Sequence, residues 1–140
     1  MSKGNTFEDD LLKLIFNATP IADLAADDQS SPVTTLTVAL HTADPGEGGT
    51  QATNETGYTS YARVAVARTG GGWVVSSGSV SPAANIDFPQ CTGLTATITH
   101  FSVGTGVANK LLYSGTVTPN ISVSNGVIPR LTTGSTITED

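Results

Sequence analysis

Cysteine is nearly absent: Cys91 stands alone, so no internal disulfide can staple the chain. Pro89, Gln90, Thr92 and Gly93 around it offer no cationic group to lower its pKa, which reads as a packing residue. Charge is scarce too, at 13% of residues, and only six are Lys or Arg against twelve Asp or Glu, for a net charge of −6. Those six (Lys3, Lys13, Arg63, Arg68, Lys110 and Arg130) are scattered, so no basic patch exists to neutralise phosphates. The acidity equally argues against an anionic membrane surface, and no apolar run approaches the roughly 20 residues of a spanning helix. The expectations are no nucleic acid, no membrane and a soluble protein. The N-terminus lacks the apolar core of a secretory signal, which points to synthesis in a cytoplasm. Aromatics make up only 6%.

What is abundant points to strands. Ser and Thr form a quarter of the 140 residues, and 15 Gly and 7 Pro mark frequent turns. Leu36, Val38 and Leu40 alternate with Thr35, Thr37, Ala39 and His41, the period of a strand with one buried face. Ala62, Val64 and Val66 alternate with Arg63, Ala65 and Ala67. Further runs at Trp73 to Val80, Ile86 to Phe88, Leu94 to Val103, Lys110 to Thr118, Ile121 to Val123 and Val127 to Leu131 bring the total to roughly eight strands. Gly70-Gly71-Gly72 reads as a hairpin turn between Tyr58 to Thr69 and Trp73 to Val80. The fold class is therefore all-β, a jelly-roll-like β-sandwich over residues 33–131.

Both ends differ from that middle. Thr6, Asp9 and the acids Glu8 and Asp10 suggest a capped helix start, and Phe7, Leu11, Leu14 and Ile15 recur at helical spacing. Residues 1–32 thus read as a short amphipathic helix and linker that can reach a partner. Residues 132–140 form a polar tail, either an edge strand or an extended C-terminal arm carrying Thr136 and Ile137.

Chemistry is hard to find. His41 and His100 lie within strands whose neighbours are Thr or apolar, so a metal site would need Asp44 or Asp87 brought across by the fold. Asp44, Glu47 and Glu55 share one Gly-rich loop, but their spacing fits no EF-hand, and a solvated acidic loop is the plainer reading. The triple glycine lacks the Lys-Ser/Thr of a phosphate loop, no Gly-x-Ser-x-Gly elbow occurs, and no catalytic residue or cofactor is indicated. Tyr58, Tyr61, Trp73 and Tyr113 leave a sugar-stacking carbohydrate-binding module as an alternative.

Several segments carry a resemblance: Val38 to Gly46, Asn54-Glu55, Tyr61-Ala62-Arg63-Val64, Val80 to Pro89 and His100 to Gly104. They resemble a family of small tailed-bacteriophage structural proteins, loosely labelled tail-fibre-like, and the chain is similar in length and sequence to capsid cementing (decoration) proteins of short-tailed phages. The resemblance implies a homodimer on the outer capsid surface of the virion, tying together subunits of an HK97-like major capsid protein, with no catalytic residues. On that reading the helix face (Phe7, Leu11, Leu14, Ile15), the loop acids (Asp44, Glu47, Glu55) and the tail (Thr136, Ile137) are the candidate contacts. A tail or tail-fibre component of the same virion is the principal alternative.

Overall fold

A computed structural model describes residues 3–28 and 30–139. The chain is mostly β, with one helix and three antiparallel sheets. The elements are α1 (Asn5–Asn17), β1 (Thr35–His41), β2 (Val64–Ala67), β3 (Trp73–Ser76), β4 (Ser79–Pro82), β5 (Ile86–Asp87), β6 (Ala96–Gly104), β7 (Leu111–Val123), β8 (Arg130–Leu131) and β9 (Ile137–Thr138). They form sheets ordered β2-β1-β6-β7, β3-β4-β9 and β5-β8. Two compact units result: Met1–Thr35 with Ala67–Asn85 and Leu131–Asp140, and Leu36–Val66 with Ile86–Arg130. The N-terminal segment and the C-terminal tail, read from sequence as separate arms, thus fall in one unit with β3 and β4.

In that unit α1 packs against the β3-β4 hairpin. Leu12 and Phe16, one turn apart on the same stripe, are fully buried, and Phe16 meets Trp73 edge-on with ring centroids 5.0 Å apart. The helix begins one turn's fraction earlier than its sequence suggests. Gly4 is the N-cap and makes no side-chain cap, while the Asp9 carboxylate instead accepts the Gly78 N–H at 2.6 Å. The expected Thr6–Asp9 capping box is therefore replaced by a tertiary bond.

The triple glycine is not a hairpin turn. β2 and β3 on its two sides belong to different sheets, and the chain between them closes a helical turn in which Gly72 and Trp73 donate to the Thr69 carbonyl. The hairpin lies at Ser77-Gly78, where φ is +53° and +70° and Ser76 pairs with Ser79. Two successive positive φ values make the primed turn whose twist matches that of the strands. Of the two readings of the tail, edge strand or extended arm, the first is what forms here: Ile137 and Thr138 pair with Val80 and Ser79, and Glu139 N–H donates to the Gly78 carbonyl.

In the second unit β1 and β6 are the inner strands, running in register from Thr37↔Gly104 to His41↔His100. The expected single buried face is only half of the result. Leu36, Val38 and Leu40 are buried as predicted, yet Ala39 and His41 on the opposite side are fully buried as well. Over His41, whose Nδ1 lies 2.9 Å from the Thr53 carbonyl, comes the loop from Asp44 to Gly57, which the sequence presents as solvated. Its backbone is tied down by Thr42 N–H to the Asn54 carbonyl, Thr56 N–H to the Leu40 carbonyl and Gln51 N–H to the Asn109 carbonyl.

Candidate functional site

The polar face of β1 and β6 is where the chemistry-bearing side chains converge. A β-strand places Thr37 and His41 on one side, Ser102 follows from β6, and the loop delivers Gln51 between them. His41 Nδ1 lies 2.9 Å from the Thr53 carbonyl, which can only accept, so Nδ1 carries the proton. Nε2 then accepts the Ser102 hydroxyl proton at 2.8 Å. Gln51 donates to the Thr37 carbonyl at 2.9 Å and to Ser102 Oγ at 3.4 Å, while its Oε1 accepts from the Thr37 hydroxyl at 2.8 Å. A serine on an oriented imidazole has the connectivity of a nucleophile and its base. Here His41, Ser102 and Gln51 are all 0% exposed, and the third partner is a carbonyl rather than a carboxylate. The arrangement satisfies buried polar groups, which would each be costly unpaired. Burial pulls the His41 pKa below 6.5, opposed by the Thr53 hydrogen bond and the nearby Glu55 charge.

Beside this network Glu55 receives two bonds from Arg63, Nε to Oε1 and Nη2 to Oε2, each 2.7 Å. Tyr61 donates its hydroxyl proton to the same Oε1 at 2.8 Å and accepts the Leu40 N–H at 3.0 Å. Arg63 Nη1 reaches Asn109 Oδ1 at 2.8 Å. Desolvation pushes the Glu55 carboxyl up, but the hydrogen bonds from Arg63 and Tyr61 and the Arg63 charge prevail and hold it low. Burial raises the Tyr61 hydroxyl above its ordinary range, and desolvation with the neighbouring Cys91 takes Tyr58 up to about 12.

The sequence-derived candidates separate. Glu55 is an anchor for Arg63, Asp44 accepts the Gly46 N–H at 2.8 Å, and Glu47 is exposed, so Asp44 and Glu55 take different partners. Phe7 is 40% exposed, Leu11, Leu14 and Ile15 are half-buried, Thr136 is exposed, and Ile137 is half-buried in β9. Trp73 and Tyr58 are buried and Tyr61 is committed to Glu55 and Leu40, so these rings offer no flat platform for a sugar. His100 bonds Thr99 Oγ1 at 2.8 Å, and among the described residues no three His, Cys, Asp or Glu side chains converge as metal ligands. An open groove of about 410 Å³ runs along the start of α1, lined by residues that include Glu8, Asp9, Lys13 and Ser77. No helix among the described residues is long and apolar enough to cross a membrane.

Sequence reasoning passed over Gln51, Ser102 and Arg68. The first two look like ordinary loop and strand polar residues, and nothing local marks them as a pair facing His41.

A family model described as the podophage GP4 fiber I protein gp80 matches residues 4–139. The chain belongs to that family. It is a phage structural protein, and its place is the virion. No curated protein matches it. The matched span takes in α1 and β9, so the two end segments that differ from the middle of the sequence belong to the family's own extent.

Proposed function

We propose that the chain is a fibre or tail component of a short-tailed phage virion, a jelly-roll-like homodimeric subunit whose job is connection rather than catalysis. The family match over residues 4–139, to a fiber protein of a podophage, is the observation that carries this reading. The long connection that seats β1 beside β6 is of the kind from which Greek-key and jelly-roll sandwiches are built, and supports the fold. The net charge of −6 supports a partner that is protein rather than nucleic acid or membrane. Enclosure of His41 and Ser102 keeps this pair from any substrate and supports a structural role for it.

Cementing of an HK97-like major capsid protein on the outer capsid surface is the second reading, resting on the similarity in length and sequence to capsid cementing proteins of short-tailed phages. Many weak bridges would then resist rupture by avidity. Co-sedimentation of labelled protein with isolated tails and with intact shells separates the two. Saturable binding to tails at a handful of copies is expected; binding to shells at hundreds of copies would transfer the protein to the capsid.

A further inference from the structure

Strand β7 spans thirteen residues and stands at one end of the sheet β2-β1-β6-β7. One of its edges pairs with β6, and among the described residues no strand lies along the other. An uncovered edge presents a row of backbone donors and acceptors, and proteins blunt such edges by shortness, charge, proline or bulges. The opposite outer strand, β2, is blunted twice: it has four residues and is flanked by Arg63 and Arg68. The first half of β7 is not. Leu111 to Thr118 holds neither charge nor proline, its register with β6 runs unbroken from Tyr113↔Val103 to Thr116↔His100, and Ser114, Thr116 and Thr118 are exposed. Register breaks lie on either side of that run, between Leu111 and Tyr113 and where the register jumps from Thr116 to Ile121 around Pro119, and leave Tyr113 to Thr116 as a regular, uncharged stretch of edge.

We infer that the outer edge of β7 around Ser114 to Thr116 is where two copies of this chain join, by antiparallel β7–β7 pairing that continues one subunit's sheet into the next. A second copy is the occupant for two reasons. An antiparallel edge is complementary to itself under a twofold rotation, so one surface serves both partners. The chain is also strongly acidic, and like copies repel wherever their charges meet; Leu111 to Pro129 contains no Asp, Glu, Lys, Arg or His at all. This inference rests on the homodimer proposed above and gives it a surface.

Sedimentation equilibrium over a range of concentrations tests it on the full chain, on the double variant Ser114→Glu/Thr116→Glu and on the control Ala65→Glu in β2. Glutamates at 114 and 116 set like charges against one another across the pairing. The wild type is expected to be a dimer, the double variant to dissociate at least tenfold more readily with an unchanged circular dichroism spectrum, and Ala65→Glu to match the wild type. A monomeric wild type, an equally tight double variant, or a dimer broken by Ala65→Glu overturns the inference. If the double variant does not fold, hydrogen exchange on the wild type decides: those amides of residues 114–118 that face away from β6 must exchange faster on dilution, and concentration-independent exchange there overturns it. The fibre reading fails separately: a β7-paired dimer that sediments with no virion part sinks only that reading, and a monomer that binds tails sinks this inference and the homodimer it rests on while leaving the fibre reading standing.

Discussion

Arg68 Nε donates to the carbonyl of Ile15 at 2.6 Å, and its Nη2 donates to the Leu14 carbonyl at the same distance. Carbonyls in the last turn of a helix have no partner within it, and a cation there also meets the negative end of the helix dipole. Nη1 bonds Asp27 at 2.9 Å, and the Arg68 N–H donates to the Thr34 carbonyl, so one residue holds the end of α1 and the connector behind it. The side chain is only 10% exposed. Arg68→Ala is expected to cost about 3 kcal/mol, since it removes several charge-assisted bonds from a nearly buried site. Arg68→Lys should recover less than half of that, because one ammonium cannot replace a planar fork of donors. Urea unfolding measures both; a loss under about 0.5 kcal/mol for the alanine variant would refute the anchoring role.

The face that α1 buries is set by Leu12 and Phe16. Truncating Phe16 to Ala should cost about 3 to 5 kcal/mol and Leu12 to Ala about 2 to 5, as for large-to-small changes in a closed core. Leu11→Ala, at a half-buried position, should cost clearly less than either. Thermal melts of the three variants give the ranking, and equal losses at 11 and 12 would contradict the helix orientation.

Gly104 ends β6 directly against the Lys110 carbonyl and the Gln51 amide, both of which a Cβ would strike. One of those obstacles is backbone and the other belongs to the buried network, so neither can swing away. Gly104→Ala is therefore expected to lose about 1 to 3 kcal/mol through overpacking. An unchanged unfolding midpoint would show that the loop yields more easily than its hydrogen bonds imply.

The stability should depend on pH through His41. Burial lowers its folded-state pKa, so the unfolded chain takes up a proton near pH 6.5 while the folded chain waits for a lower pH. The stabilisation is complete above about 6.5 and is lost as the pH falls below it, at no more than about 1.4 kcal/mol per pH unit for a single group. Glu55, held below 4.5 against its desolvation by Arg63 and Tyr61, adds a second loss as the pH drops under that value. Urea midpoints between pH 8 and pH 5 should fall for the wild type and flatten in His41→Gln; a wild-type midpoint that rises toward acid would reverse the assignment.

Much of the strand pattern can be read without the structure. Leu36, Val38 and Leu40 alternate because a strand's period is two, and they are buried. The helix near the N-terminus is equally legible, but its buried face is not. Leu11, Leu12, Leu14, Ile15 and Phe16 crowd two turns, so more than one apolar stripe fits the period, and only packing against Trp73 selects Leu12 and Phe16. The Asp44 to Gly57 loop looks soluble residue by residue, and Asp44, Glu47 and Thr50 are exposed; the burial of Gln51 within it depends on Thr37, Ser102 and the Asn109 carbonyl from elsewhere in the chain.

Composition and periodicity alone settled that this chain is acidic, poor in cysteine and built chiefly of strands, because those properties are sums and spacings along the chain. Tertiary structure decided which partners the polar groups found: Ser102 for His41, Arg63 for Glu55, Arg68 for the end of α1, and β4 for the tail. Apart from Arg63 and Glu55, eight residues apart, each joins segments distant in sequence, and a hydrogen bond of that kind depends on where two elements come to lie, which no local spacing encodes.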